Sequence, residues 1–115
     1  MADSGEVYHE KHLKSLSTFI NRWNGGNAKL WEYRAPHRSI TLRITSSKKQ
    51  GNLHISCLGP EYIQGPVSWE NCKLEVIPDI RLTDGETGYL VVDKDVGFEV
   101  RAEQLEVAEN CKPLE

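Results

Sequence analysis

The sequence predicts an α+β domain: one N-terminal helix packed on a mostly antiparallel, strongly twisted sheet or small barrel of six to seven short strands. Three observations predict it. Apolar residues fall at helical spacing once only, ahead of Asn24. Beyond that point they alternate at period two, in short runs broken by turn residues. No strand–helix–strand alternation occurs, which argues against a parallel nucleotide-binding sheet.

The helix spans about residues 8–23, with Leu13, Leu16, Ile20 and Trp23 on one stripe and Phe19 beside it. Glu10 precedes Lys14 by one helical turn, a supporting surface pair. Asn24-Gly25-Gly26-Asn27 ends the helix, because glycine takes the left-handed conformation that a C-terminal cap needs. Residues 29–34 (KLWEYR) then read as a strand with Trp31 and Tyr33 on one side. After a turn at 35–38, Ile40, Leu42 and Ile44 face one way and Thr41, Arg43 and Thr45 the other. Residues 46–52 (SSKKQGN) form a polar hairpin loop, and Leu53, Ile55 and Cys57 return along the core face, with His54 and Ser56 outward.

Cys72, Leu74 and Val76 continue the alternation, and Pro78 ends that strand or sits on a sheet edge. Residues 81–88 are a loop around Asp84-Gly85. Residues 89–92 and 97–101 form a second hairpin around Asp93-Lys94-Asp95-Val96, and Leu105 and Val107 mark a last short strand. Leu13, Leu16, Ile20, Trp23, Ile40, Leu42, Ile44, Leu53, Ile55, Leu74, Val76, Val91 and Val100 are the expected core.

The 115 residues are expected to form a single domain, 1–115, with 1–6 frayed and Leu114-Glu115 resembling vector-derived residues. A chain of this length buries a real core without disulfides or metals. It holds no apolar run of membrane-spanning length and no signal-peptide pattern, so it reads as cytoplasmic with no membrane association. Cys57, Cys72 and Cys111 are widely spaced and form no CxxC, which fits buried thiols better than a metal or redox motif.

The net charge of −3 hides an asymmetry. Residues 1–50 carry nine Lys/Arg against four Asp/Glu, whereas residues 51–115 carry five against thirteen. Either the two halves pack together and neutralise each other, or the folded domain presents two faces of opposite sign.

Catalytic signatures are missing. His54 and Cys57 stand three positions apart on a strand and so point to opposite faces. His9 and His12 share a helix face but lack an evident third metal ligand. No Walker loop, HExxH or GxSxG is present, and no cofactor or metal is expected.

Two binding surfaces remain. The first is the block at 54–76, where Gly59-Pro60 and Gly65-Pro66 are expected to fix two turns. These would display Tyr62, Gln64, Trp69, Glu70 and Asn71 to a protein partner at small entropic cost, unless Trp69 is a core residue. That makes a non-enzymatic protein-binding module the leading expectation. The second surface is the basic first hairpin, where Trp31 and Tyr33 interleave with Arg34, Arg38 and Arg43. Aromatics among arginines on a small sheet stack bases and hold phosphates, although the overall acidity opposes nucleic-acid binding. A basic groove lined by Trp31 or Tyr33 would favour this second expectation. A small enzyme with a pocket at the barrel mouth is the third. The sequence specifies neither a partner's identity nor an oligomeric state.

Overall fold

The computed structural model describes residues 4–34, 38–80 and 87–109. Its elements run α1 (Ser4–Trp23), β1 (Asn27–Arg34), β2 (Ser39–Ser46), β3 (Lys49–Gln64), β4 (Ser68–Trp69), β5 (Glu75–Ile80), β6 (Thr87–Asp93) and β7 (Phe98–Glu109). The strands form one antiparallel sheet in the order β4-β1-β2-β3-β7-β6-β5, curled into a half-barrel with α1 packed on it.

Alternation explains the burial. Ile40, Leu42 and Ile44 on β2 stand opposite Cys57, Ile55 and Leu53 on β3, and all six are buried. Leu16, Ile20 and Trp23 close the concave side from α1, and Val91, Val100 and Leu105 from the other half of the sheet, with Leu74 from the segment before β5, complete the core. Leu13 and Val76, expected in the core, are only partly buried and pack against it. Burying a leucine or isoleucine side chain is worth roughly 1.5–3 kcal/mol, so these facing rows dominate the stability.

The helix stops where glycine permits it. Gly25 has φ of 94°, and its N–H donates to the Cys72 carbonyl at 2.8 Å. The Cys72 N–H returns a bond to the Gly26 carbonyl at 3.0 Å. Asn24 repeats the exchange one step on: its side-chain oxygen accepts from the Leu74 N–H at 2.8 Å and its amide donates to the Leu74 carbonyl at 3.0 Å. The link from β4 to β5 therefore crosses the end of α1 and is bonded to it at Cys72 and Leu74.

Several elements differ from the sequence reading. β3 does not stop at Cys57 but continues to Gln64, paired with β7. Gly59-Pro60 is thus not a corner; the register shifts between Pro60 and Tyr62, which makes Glu61 a bulge residue. Beyond Leu58, β3 has no β2 partner, while Pro60 stands opposite Ala102 on β7 next to the bulge, a position at which a sheet tolerates proline. Gly65-Pro66 is the real corner. Gly65 has φ of 118°, and a Cβ there would lie 2.7 Å from Phe98 Cα.

The first hairpin closes in two residues, Ser47 and Lys48, rather than through the whole of 46–52. Cys72 and Leu74 lie in the link, and β5 begins at Glu75. Pro78 does sit on an edge, because β5 pairs only with β6. The last strand is not short: β7 runs unbroken over twelve residues. α1 begins at Ser4, and the expectation for residues 1–3 falls outside the described residues. The expectations for the turn at 35–37, the loop around Asp84-Gly85, Cys111 and Leu114-Glu115 fall outside the described residues.

Candidate functional site

The charge asymmetry of the sequence becomes a separation across the sheet. Lys29, Arg34, Arg38, Arg43 and Lys48 lie on β1, β2 and the turns that flank β2, with Glu32 among them, and Lys49 opens β3. Glu75 and Asp79 on β5 and Glu99, Glu103, Glu106 and Glu109 on β7 lie in the other half.

The basic half contains a groove of about 620 Å³. It is lined by Lys29, Trp31 and Arg43 together with Thr45, Ser68 and Glu70, and its floor reaches Ala28 and Trp69. A bulge builds it. Leu30 stands opposite Leu42 and Glu32 opposite Thr41, which leaves Trp31 as the extra residue of β1. An extra residue re-aims its side chain. Trp31 turns outward, where the Arg43 guanidinium lies 4.3 Å from its ring centre and Lys29 Nζ lies at 5.9 Å. A cation over an indole face is held by the ring quadrupole, so both cations are ordered against the ring. Among the described residues, neither Lys29 nor Arg43 forms an ion pair. Trp31 itself stays 39% exposed.

His54 forms the far side of this cluster. It pairs with Arg43 across the β2–β3 ladder, and its ring lies 6.3 Å from Trp31, tilted by 45°. Its Nε2 is buried and has no hydrogen-bond partner among the described residues. Burial and the neighbouring Arg43 charge push its pKa below the usual imidazole value, partly opposed by Glu32. His54 is thus held neutral beside two cations.

The bulge also divides the residues expected on the basic surface. Trp31 and Arg43 come together. Tyr33, expected on the same side as Trp31, stands instead opposite Ile40, on the side the core faces, and is 62% exposed. Arg34 is engaged with Glu32. Arg38 occupies the turn before β2 with φ of 44°, and its carbonyl accepts the Gly59 N–H at 2.9 Å. Sequence reasoning missed Lys29 and His54 as members of the site. The signal was present, since alternation in a hairpin register puts Lys29, Arg43 and His54 in one outward row.

The residues expected to meet a protein partner are scattered. Trp69 is buried: its indole N–H donates to Asp93 Oδ2 at 2.8 Å, and its ring lies 4.6 Å from that of Phe98. Of the two views of Trp69 the core view holds, because Asp93 satisfies its polar atom inside the fold. Glu70 belongs to the groove beside Trp31. Asn71 is exposed with φ of 50°. Tyr62 and Gln64 are exposed on the extended end of β3, where the Tyr62 hydroxyl donates to the Gln64 side-chain oxygen.

Thiol and metal chemistry find no geometry here. Cys57 is fully buried on the face opposite His54, and burial pushes its thiol pKa up to about 12. Cys72 is buried, and its thiol pKa is raised, chiefly by burial. His12 Nε2 donates to the Leu105 carbonyl at 3.1 Å. Among the described residues no three His, Cys, Asp or Glu side chains gather as a metal site. No described helix is long and apolar enough to cross a membrane.

No family model matches the chain, and neither a curated protein nor a solved structure is detectably similar to it.

Proposed function

We propose that this protein is a small binding module for single-stranded nucleic acid, working through the groove on the outer face of β1 and β2. The observation that carries the reading is Trp31 held between Arg43 and Lys29 beside an open groove. A base stacks against the exposed part of the indole, and the two cations beside it meet the flanking phosphates. Ser68, Thr45, Asn27 and Glu70 line the same groove and offer donors and acceptors to a base edge. The overall negative charge counts less than its distribution: Glu32 on β1 and Glu70 in the groove lie beside the cations, whereas the acids of β5 and β7 lie in the other half of the sheet.

Fluorescence anisotropy with a labelled oligothymidylate tests the reading. Counterion release predicts that affinity falls with added salt, with a log–log slope of about −1.4 for two phosphate contacts on a single strand. Trp31→Ala should lose stacking worth about 1–3 kcal/mol. Arg43→Gln should weaken binding as well and flatten the salt slope. Absence of binding at low salt would remove the proposal.

A separate observation supports a second, protein-facing reading. Tyr62, Ile63 and Val67 are exposed on either side of the Gly65 corner, whose backbone is wedged against Phe98. Rigid exposed aromatic and aliphatic groups make low-entropy contact surfaces. Affinity capture with the wild type and Tyr62→Ala tests it. Equal recovery of the same protein by both would remove this reading.

A further inference from the structure

We propose that the groove takes up a proton when it takes up a phosphate-bearing strand, and that His54 receives the proton. The inference rests on the nucleic-acid reading above and concerns the regulation of that same site.

The geometry carries it. His54 lies in one row with Arg43 and Lys29, behind the ring of Trp31. Its Nε2 is buried without a hydrogen-bond partner among the described residues, an arrangement that costs free energy in the free protein. A protonated imidazole would place a third positive charge in that row with no acceptor for its new N–H. The charged groups facing His54 are Arg43 from β2, Lys29 and Glu32 from β1, and, one outward position along β7 from its partner Ala108, Glu106. Burial disfavours its charged form most, the Arg43 guanidinium adds to this, and the Glu32 carboxylate opposes it.

A bound phosphate changes each element of this balance. It neutralises the Arg43 guanidinium, supplies an anion for the imidazolium, and gives Nε2 an acceptor once an oxygen reaches past the edge of the Trp31 ring. All three effects favour the protonated form. The pKa of His54 is therefore higher in the complex than in the free protein. The sign follows from linkage: the extra affinity is fully present below the free-protein pKa and is lost as pH rises through the pKa of the complex.

Oligothymidylate is the suitable probe, because neither thymine nor the phosphodiester titrates between about pH 5.5 and 8. Anisotropy titrations at constant ionic strength should show binding tighter by on the order of tenfold at pH 5.5 than at pH 8. In His54→Gln that dependence should largely disappear, which separates it from the other histidines. NMR of the His54 ring in the wild type needs no variant to fold: its titration midpoint should move upward when the oligonucleotide is added. Binding with equal affinity at both pH values and an unmoved His54 midpoint would overturn this inference alone. A pH dependence that survives unchanged in His54→Gln would also overturn it. No binding at either pH would overturn the nucleic-acid reading and this inference together.

Discussion

The indole N–H of Trp69 donates to the carboxylate of Asp93 at 2.8 Å, and this bond ties β4, at one edge of the sheet, to the end of β6 near the other edge. The same Asp93 oxygen accepts the Lys73 N–H at 2.8 Å, and its second oxygen accepts the Asp95 N–H at 3.1 Å. One buried carboxylate thus holds the half-barrel closed and fixes the link that carries Glu70 to the rim of the groove.

Asp93→Ala should destabilise the protein by about 2–4 kcal/mol, because two donors, Trp69 Nε1 and the Lys73 N–H, lose their acceptor in the interior. Trp69→Phe keeps a ring against Phe98 and should cost less, about 1–2 kcal/mol. Trp69→Ala removes ring and bond together and should cost about 3–5 kcal/mol. Urea unfolding of the three variants checks the order. An unchanged midpoint for Asp93→Ala would mean that this closure does not stabilise the fold.

Gly65→Ala should be strongly destabilising, by more than about 1 kcal/mol, since φ of 118° is strained for any side chain and the Cβ would sit 2.7 Å from Phe98 Cα. Thermal unfolding measures it. A stable alanine variant would show that the corner and the Phe98 backbone separate easily.

The buried Cys57 thiol gives a pH dependence of known sign. Burial raises its pKa to about 12 in the folded protein, above the ordinary thiol value of 9.0. The folded state therefore keeps a proton that the unfolded chain releases. The resulting stability is complete below the unfolded value and is lost as pH rises toward the folded one. At pH 10, one unit above the unfolded value, the loss is about 1.4 kcal/mol. Urea unfolding at pH 8 and pH 10 should show this difference in the wild type and not in Cys57→Ala. Equal losses in both would assign the effect to other groups.

Tyr62→Ala should change stability by no more than about 0.5 kcal/mol, because the side chain is exposed on an edge extension. It should also leave oligothymidylate affinity as it was, since Tyr62 does not line the Trp31 groove. Loss of oligonucleotide binding in this variant would move the nucleic-acid site to the end of β3.

The sequence made the frame legible and hid the features that shape the site. The helix stripe of Leu16, Ile20 and Trp23 and the alternation of Ile40, Leu42 and Ile44 report burial directly, since each repeats its period several times. The Trp31 bulge adds a single residue within an alternating run, so Trp31 and Tyr33 still read as one face although the register sends them to opposite sides. Gly59-Pro60 reads as a turn, because the long pairing with β7 that carries β3 through it, with a bulge at Glu61, is a property of the sheet. Trp69 lies on a strand of two residues, too short for any period, and its buried partner Asp93 lies in a segment that reads as a solvated hairpin turn. The Lys29–Arg43–His54 row was legible in principle, but only once the register of two adjacent hairpins was known.

The central claim is that the outer face of β1 and β2 around Trp31 is the binding surface. Backbone and indole NMR shifts recorded while oligothymidylate is added at low salt test it most directly. The account predicts that Lys29, Trp31 with its indole N–H, Arg43 and His54 shift together and saturate at one dissociation constant, while residues 62–67 and β5 stay fixed. Shifts confined to 62–67, or none at saturating oligonucleotide, would contradict it.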